Sequence, residues 1–352
     1  MISFLKNKQI RSRKTKIICT IGPACSSDKA IRNLVKEGMD YARFNFSHGN
    51  IEEFRSWTKT IRKAAKLEKK EVQIIQDLQG PRVRIGKLKK EGKQVKVGEK
   101  LTLVFNSSKL TKRNEVPVQS DIQLDVKKGD KILMDNGLIE LGVKKIEFPN
   151  IHCVALTSGV LFSRKGLNFP NSNTREPLTE KDLKDLDAGL DMGVDWVALS
   201  FVEDKDDIEK LREIVGDKVK ILAKIERPQA IKNFGRILDV VDAIMVARGD
   251  LGIEIPFWKL PSIQKRAIRR AKNAGKPSIV ATDMMASMVV AQRPTRAEIL
   301  DVANAVIDGT SAVMLSNETA VGKYPIETVR CMRRIVEEAE NFQNSHELES
   351  LL

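Results

Sequence analysis

A chain of 352 residues, 41% of them apolar, can bury one large core and a smaller one, yet no run approaches the roughly 20 apolar residues of a membrane span. The formal charge of +14 suits nucleic acid or small polyanions; basic residues are dispersed and aromatic residues are only 5%, which disfavours nucleic acid as the main partner. Four scattered cysteines form no CxxC pair and there are three histidines, so free thiols, a cytoplasmic location and chemistry carried by Lys, Arg, Asp, Glu, Ser and Thr are expected.

The basic stretch 1–16 lacks the apolar core of a secretory leader. Strands are expected at 16–22, 41–46 and 72–78, each nearly continuous in apolar residues, as strands covered on both faces should be. More than a hundred residues then precede the next such run, too many for a plain loop. From Arg82 to Asn173 the pattern changes to short β segments at 95–97, 101–105, 131–134, 138–143 and 152–156, with Asn136-Gly137 as a hairpin signal. This predicts a small β domain (82–173) inserted after the third strand, placed to act as a lid. The flanking parts, 1–81 and 174–352, form the host domain.

Five further strands are expected at 196–201, 220–226, 243–246, 278–282 and 312–316. The helices between them carry capping boxes (Thr179 with Asp182, Thr295 with Glu298), Pro261 and Pro325 at helix starts, and Gly193, Gly216, Gly275 and Gly309 at helix stops. Leu183, Leu186 and Leu190 share one helical face, as do Ile299, Val302, Ala303 and Val306. Eight strand–helix units favour a closed (β/α)8 TIM barrel; an open doubly wound sheet has the same strand count and stays its rival.

In such a barrel the active site lies at the C-terminal strand ends. Polar residues gather there: Arg43, Asn45 and Ser47 at period two, Asp77, the pair Lys224 and Glu226, Arg248 and Asp250, Thr282, and Ser316 with Glu318. Singly, each also reads as a solvated rim residue or a helix cap, and Arg248 as an ion-pair partner of Asp250 or Glu254. Together they form a mouth able to hold a divalent cation and an anionic substrate.

"TKIICTIGPAC" (15–25), "ARFNFSHG" (42–49), "AKIE" (223–226), "MVARGDLGIEIP" (245–256), "RPTRAE" (293–298), "DVANAVIDGT" (301–310) and "ETAVGKYP" (318–325) resemble pyruvate kinase signatures, in that family's order. "MDNGLIEL" (134–141) and "SRKGLNFP" (163–170) match more loosely in the inserted domain. The resemblance implies phosphoryl transfer from phosphoenolpyruvate to ADP, giving pyruvate and ATP. It also implies Glu226 and Asp250 as ligands of Mg²⁺ (Mn²⁺ as a substitute), and Lys224 and Arg43 on the transferring phosphoryl group. The Gly249 and Asp250 N–H groups with Thr282 would hold the substrate carboxylate. Arg43, Asn45, Arg84, Arg164 and Lys165 would serve the nucleotide, and Thr282, Ser316 and Glu318 the protonation of enolpyruvate. Asn45, Ser47, Asp77 and the Leu78 carbonyl match a monovalent-cation site. Arg82, with Leu78-Gln79 before it, resembles the potassium-independent branch, so no potassium requirement is expected.

Asp283 and Asn317 depart from the family pattern beside the proton route. The family's C-terminal α/β regulatory domain is expected to be absent, giving a homodimer through the barrel and exposed apolar residues at Val329, Met332, Ile335 and Val336. Two rivals remain: a silent binding protein, and another barrel enzyme of phosphoenolpyruvate or an oxo-acid that has no ADP dependence.

Overall fold

The computed structural model describes residues 13–107, 112–120, 125–172 and 177–344; the return boundary expected at 173–174 lies outside them. The chain begins β1 (Lys16–Thr20), α1 (Asp28–Glu37), β2 (Tyr41–Asn45), α2 (Ile51–Glu68), β3 (Gln73–Asp77). Short strands follow: β4 (Val83–Ile85), β5 (Lys93–Val95), β6 (Lys100–Phe105), β7 (Glu115–Gln119), β8 (Lys131–Met134), β9 (Ile139–Glu147), β10 (Asn150–Ala155), β11 (Gly159–Leu161) and β12 (Gly166–Asn168). The strand–helix rhythm then resumes with α3 (Glu180–Met192), β13 (Trp196–Leu199), α4 (Lys205–Val215), β14 (Lys220–Ile225), α5 (Pro228–Lys232), α6 (Phe234–Val240) and β15 (Ala243–Ala247). It ends with α7 (Arg248–Glu254), α8 (Leu260–Asn273), β16 (Ser278–Ala281), α9 (Arg296–Ile307), β17 (Ala312–Leu315), α10 (Asn317–Ala320) and α11 (Pro325–Asn344).

The eight long-range parallel strands close in the order β1-β17-β16-β15-β14-β13-β3-β2, which decides against an open sheet. β3 pairs directly with β13, Ile75 opposite Trp196, so the host barrel is continuous across the insertion. Strand alternation sorts the side chains into two cores. Ile18, Ile75, Ala198, Leu222, Met245, Ala281 and Met314 form one cluster, which fills the barrel interior. Their odd-spaced neighbours, such as Ile17, Ile74, Ile221, Ala223, Ile244 and Val246, pack with the helices in the other.

Local signals act where they were expected. Thr179 and Asp182 bond reciprocally at the start of α3, and Thr295 and Glu298 at the start of α9. Gly193 ends α3 in the left-handed region. The helical faces are narrower than expected: Leu186, Val302 and Val306 are buried, but Leu183 and Ile299 are about 40% exposed. The expectation of exposed apolar residues on the last helix is wrong. Val329, Met332 and Val336 are fully buried and Ile335 packs against the same core, because this face of α11 covers the barrel.

The inserted segment closes a second barrel, β10-β6-β7-β4-β12-β8-β9, around its own apolar cluster. The strand expected at 95–97 lies at Lys93–Val95; β4, β7, β11 and β12 were unforeseen, three of them being only three residues long. The Asn136-Gly137 hairpin is present, with Asp135, Asn136 and Gly137 all at positive φ between β8 and β9. No described helix is long and apolar enough to cross a membrane.

All four cysteines are unpaired. Burial pushes the Cys25 thiol up to about 11 and Cys153 up to about 12. At pH 8 their thiolate fraction is then roughly a thousandth or less. A thiol reagent at that pH will label the half-buried Cys331 first, and Cys25 and Cys153 only on unfolding. Peptide mapping checks this; early labelling of Cys153 would contradict it.

Candidate active site

The inward parity that fills the barrel with Leu222 continues along β14 to Lys224 and Glu226, and along β3 from Ile75 to Asp77. The same rule carries β2 to Arg43 and Asn45, β13 to Ser200 and β1 to Thr20. The mouth is thus a continuation of the core pattern in polar residues. Lys224 Nζ lies 3.1 Å from Asp77 Oδ1, 3.0 Å from Glu226 Oε1, and donates to Ser200 Oγ at 2.7 Å. Arg43 donates from Nε to Asp77 Oδ2 at 2.6 Å and from Nη1 to Thr20 Oγ1 at 3.0 Å.

Asp77 and Glu226 are each 1% exposed, a burial tolerable for charges only when they are paired. Burial alone would lower the Lys224 pKa, but Asp77 and Glu226 outweigh it and hold the ammonium above its ordinary range. Burial would likewise raise the Asp77 carboxyl, yet Lys224 and Arg43 hold it low. Glu226 goes the other way. Burial raises it, with the Asp250 charge adding and Lys224 opposing; its Oε2 accepts from Phe201 N at 2.8 Å. A buried Glu226 carboxylate with the Asp250 charge nearby is a donor pair that suits a divalent cation. Among the described residues no cluster of three or more metal-ligating side chains exists, so Glu226 and Asp250 would need substrate or water oxygens to complete such a shell.

Arg82 Nη2 lies 3.0 and 3.1 Å from the two Asp250 oxygens, and its guanidinium sits 5.7 Å from the Phe201 ring centre. The expected monovalent-cation ligands have partners: Leu78 O accepts from Ser200 Oγ at 2.7 Å, and Asn45 Oδ1 from Ser47 N at 3.2 Å. Thr282 and Asp283 stand at φ 76° and 54°, a strained region for a β-branched residue. Arg248 holds Thr282 there, donating to its carbonyl at 3.0 and 2.6 Å while pairing with Asp301 at 2.7 Å. The ion pairs anticipated for Arg248 with Asp250 or Glu254 are therefore replaced by one with Asp301. A β-carbon on Gly249 would meet Thr282 Cγ2 at 2.9 Å, so glycine permits that close approach. Glu318 is 2% exposed and accepts from Met285 N at 3.1 Å and Ser316 N at 2.7 Å. Asp283 and Asn317 are exposed.

Between the two barrels lies a cavity of about 190 Å³ lined by Arg82, Arg84, Arg164, Lys165, Asn168 and Asp250, among others. Arg84 Nη1 donates to Arg164 O at 3.2 Å, and Lys165 pairs with Asp135 at 2.8 Å. Ser200 and Thr20 escaped the sequence reading. Their even spacing from Ala198 and Ile18 was the available signal, blurred because Ser and Thr at strand ends read equally as caps.

Charge gathered at the C-terminal strand ends, beneath a cationic cleft roofed by an inserted barrel, defines an enzyme that works on anionic substrates. A family profile described as "Pyruvate kinase, barrel domain" matches residues 12–329. The pyruvate kinase of Thermococcus litoralis is 42% identical over 342 residues, spanning 96% of this chain and 72% of its own. That of Mycobacterium intracellulare is 44% identical over 329 residues, 92% of this chain and 70% of its own. A crystal structure of a pyruvate kinase from Cryptosporidium parvum superposes with a TM-score of 0.87 at 38% identity, covering 94% of this chain and 70% of that one. The chain belongs to the pyruvate kinase family and is a phosphotransferase.

Proposed function

We propose that this chain transfers the phosphoryl group of phosphoenolpyruvate to ADP, forming pyruvate and ATP. The observation that carries the reading is Lys224, its ammonium fixed among Asp77, Glu226 and Ser200 at the barrel mouth. Both substrates are polyanions, so the reaction needs alignment and countercharge more than covalent help. Lys224 and Arg43 supply positive charge where the phosphoryl group passes from the enol oxygen to the ADP terminal oxygen. Gly249, Asp250 and Thr282 hold the substrate carboxylate, and the Arg248 clamp on the Thr282 carbonyl supports that role. A divalent cation on Glu226 and Asp250, Mg²⁺ or Mn²⁺, would neutralise substrate oxygens there. Arg84, Arg164 and Lys165 line the cleft as nucleotide-phosphate contacts. The inserted barrel closes over them to exclude water. Ser316 and Thr282 lie on the proton route to enolpyruvate, with Glu318 bracing the Ser316 backbone.

We further infer that potassium is not required, because Asp77 already carries Arg43 and Lys224 and the Leu78 carbonyl already accepts from Ser200. Four unpaired cysteines fit a reducing compartment such as the cytoplasm. The exposed Phe257, Trp258 and Leu300 on the outer helical layer favour a second copy as the barrel's partner. The deciding experiment follows pyruvate formation from phosphoenolpyruvate with and without ADP and Mg²⁺. Pyruvate that depends on both is the expected result. None would favour a silent barrel, and ADP-independent pyruvate another barrel enzyme.

A further inference from the structure

Arg227 directly follows Glu226, is only 3% exposed, and has no part in the chemistry above. Its guanidinium faces four acceptors in two structures. On the barrel side it pairs with Glu203 Oε1 at 2.5 Å and Glu254 Oε2 at 3.3 Å. On the other side Nη2 donates to the carbonyls of Phe169 and Ser172, both at 2.7 Å. Phe169 belongs to the core of the inserted barrel, and 168–172 is the path by which the chain leaves it. Gln229 Nε2 reinforces the grip, donating to Pro170 O at 3.1 Å, and Asn168 Nδ2 donates to Glu254 Oε1 at 3.0 Å.

The fork ties together the barrel segments that carry Glu226 and Asp250, and through Glu203 the loop between β13 and α4 as well. Arg227 is the residue after Glu226, and Glu254 lies one turn along α7 from Asp250. A buried arginine with two carboxylates is ordinarily a structural ion pair. Here, however, half of its hydrogen bonds hold the backbone of a linker. The outgoing linker is gripped differently: Arg82, with its side chain 30% exposed, rests on Asp250 itself. One end of the insert is thus fastened by a buried fork, the other by a solvent-accessible contact on a group that a cation would claim.

We propose that Arg227 is a positioning residue. It fixes 168–172 as the pivot of the inserted barrel and ties that pivot to the backbone carrying Glu226 and Asp250, so one side chain sets both cation-site and nucleotide-cleft geometry. The proposal rests on the phosphoryl-transfer reading. Only arginine presents donors in a rigid planar fork able to reach all four acceptors; lysine keeps the charge and loses the fork.

The test compares Arg227→Lys and Asn168→Ala with the parent chain in three readouts: Mn²⁺ affinity by electron paramagnetic resonance, hydrogen exchange across 168–172, and KM for ADP against kcat. Groups that orient a metal shell are worth about 10- to 100-fold, so Arg227→Lys should bind Mn²⁺ at least tenfold more weakly. Exchange should accelerate in 168–172 and stay unchanged in β3, and KM for ADP should rise more than kcat falls. Asn168→Ala should shift the same readouts about threefold, the worth of one hydrogen bond. Parental Mn²⁺ affinity and exchange in Arg227→Lys would overturn the proposal. If that variant does not fold, parental values in Asn168→Ala overturn it instead. A parent chain that makes no ADP-dependent pyruvate sinks the functional reading, and the Mn²⁺ and exchange readouts still judge the clamp separately.

Discussion

Lys224→Met should lower kcat at least about 100-fold, because it deletes a preorganised positive charge at the position where transition-state charge develops. The loss equals roughly 2.7 kcal/mol of barrier. A competing effect must be separated from it. Removing one member of a buried charge group commonly destabilises by about 3–5 kcal/mol, since the partners stay buried and unpaired. Asp77 keeps Arg43 at 2.6 Å, which limits the damage, whereas Glu226 loses its ion pair and keeps its bond from Phe201 N. Urea unfolding of the variant therefore accompanies the kinetics. A folded variant with near-parental turnover would defeat the assignment of Lys224.

The second large effect is expected at Arg82. In tetramethylammonium buffer the parent chain should work at full rate, and added KCl at constant ionic strength should change little. Arg82→Glu should lose roughly tenfold in that buffer and regain much of it with KCl. Its carboxylate would replace a guanidinium 3.0 Å from Asp250, at a position about 30% exposed. Two like charges about 4 Å apart repel by about 4 kcal/mol at an intermediate dielectric, and solvent reduces this to a fraction. A many-fold potassium activation of the parent, or a variant indifferent to potassium, would defeat the reading.

The barrel was legible because its signals are local and repeated. Strands covered on both faces read as apolar runs, and capping boxes at Thr179 and Thr295 mark helix starts within four residues. The polar mouth of the barrel was legible for a related reason: the period that places Leu222 inside also places Lys224 and Glu226 there. What escaped depends on partners distant in sequence. Arg248 could not be assigned because Asp301 lies 53 residues on, and the contact of Arg82 with Asp250 spans 168 residues. The grip of Arg227 on Phe169 and Ser172 needs two chain segments that meet only in the fold. Three-residue strands such as β4, β11 and β12 are too short to show any alternation, so the second barrel was readable only as a region rich in short β segments.

The direct pairing of β3 with β13 has a consequence for chain entropy. To the host barrel, the insert is a loop whose two stems, β4 and β12, are neighbours in one sheet and so held one strand spacing apart, about 4.8 Å. Within it β4 and β12 run antiparallel, Gly166 opposite Arg84, so the insert departs and returns alongside itself. The closure penalty of a flexible loop grows only with the logarithm of its length, about 0.6 kcal/mol for each doubling. Lengthening or trimming the insert far from its two stems should therefore leave the host barrel's stability almost untouched. The sensitive quantity is the separation of the stems, which a residue added between Asp77 and Val83 would alter at once.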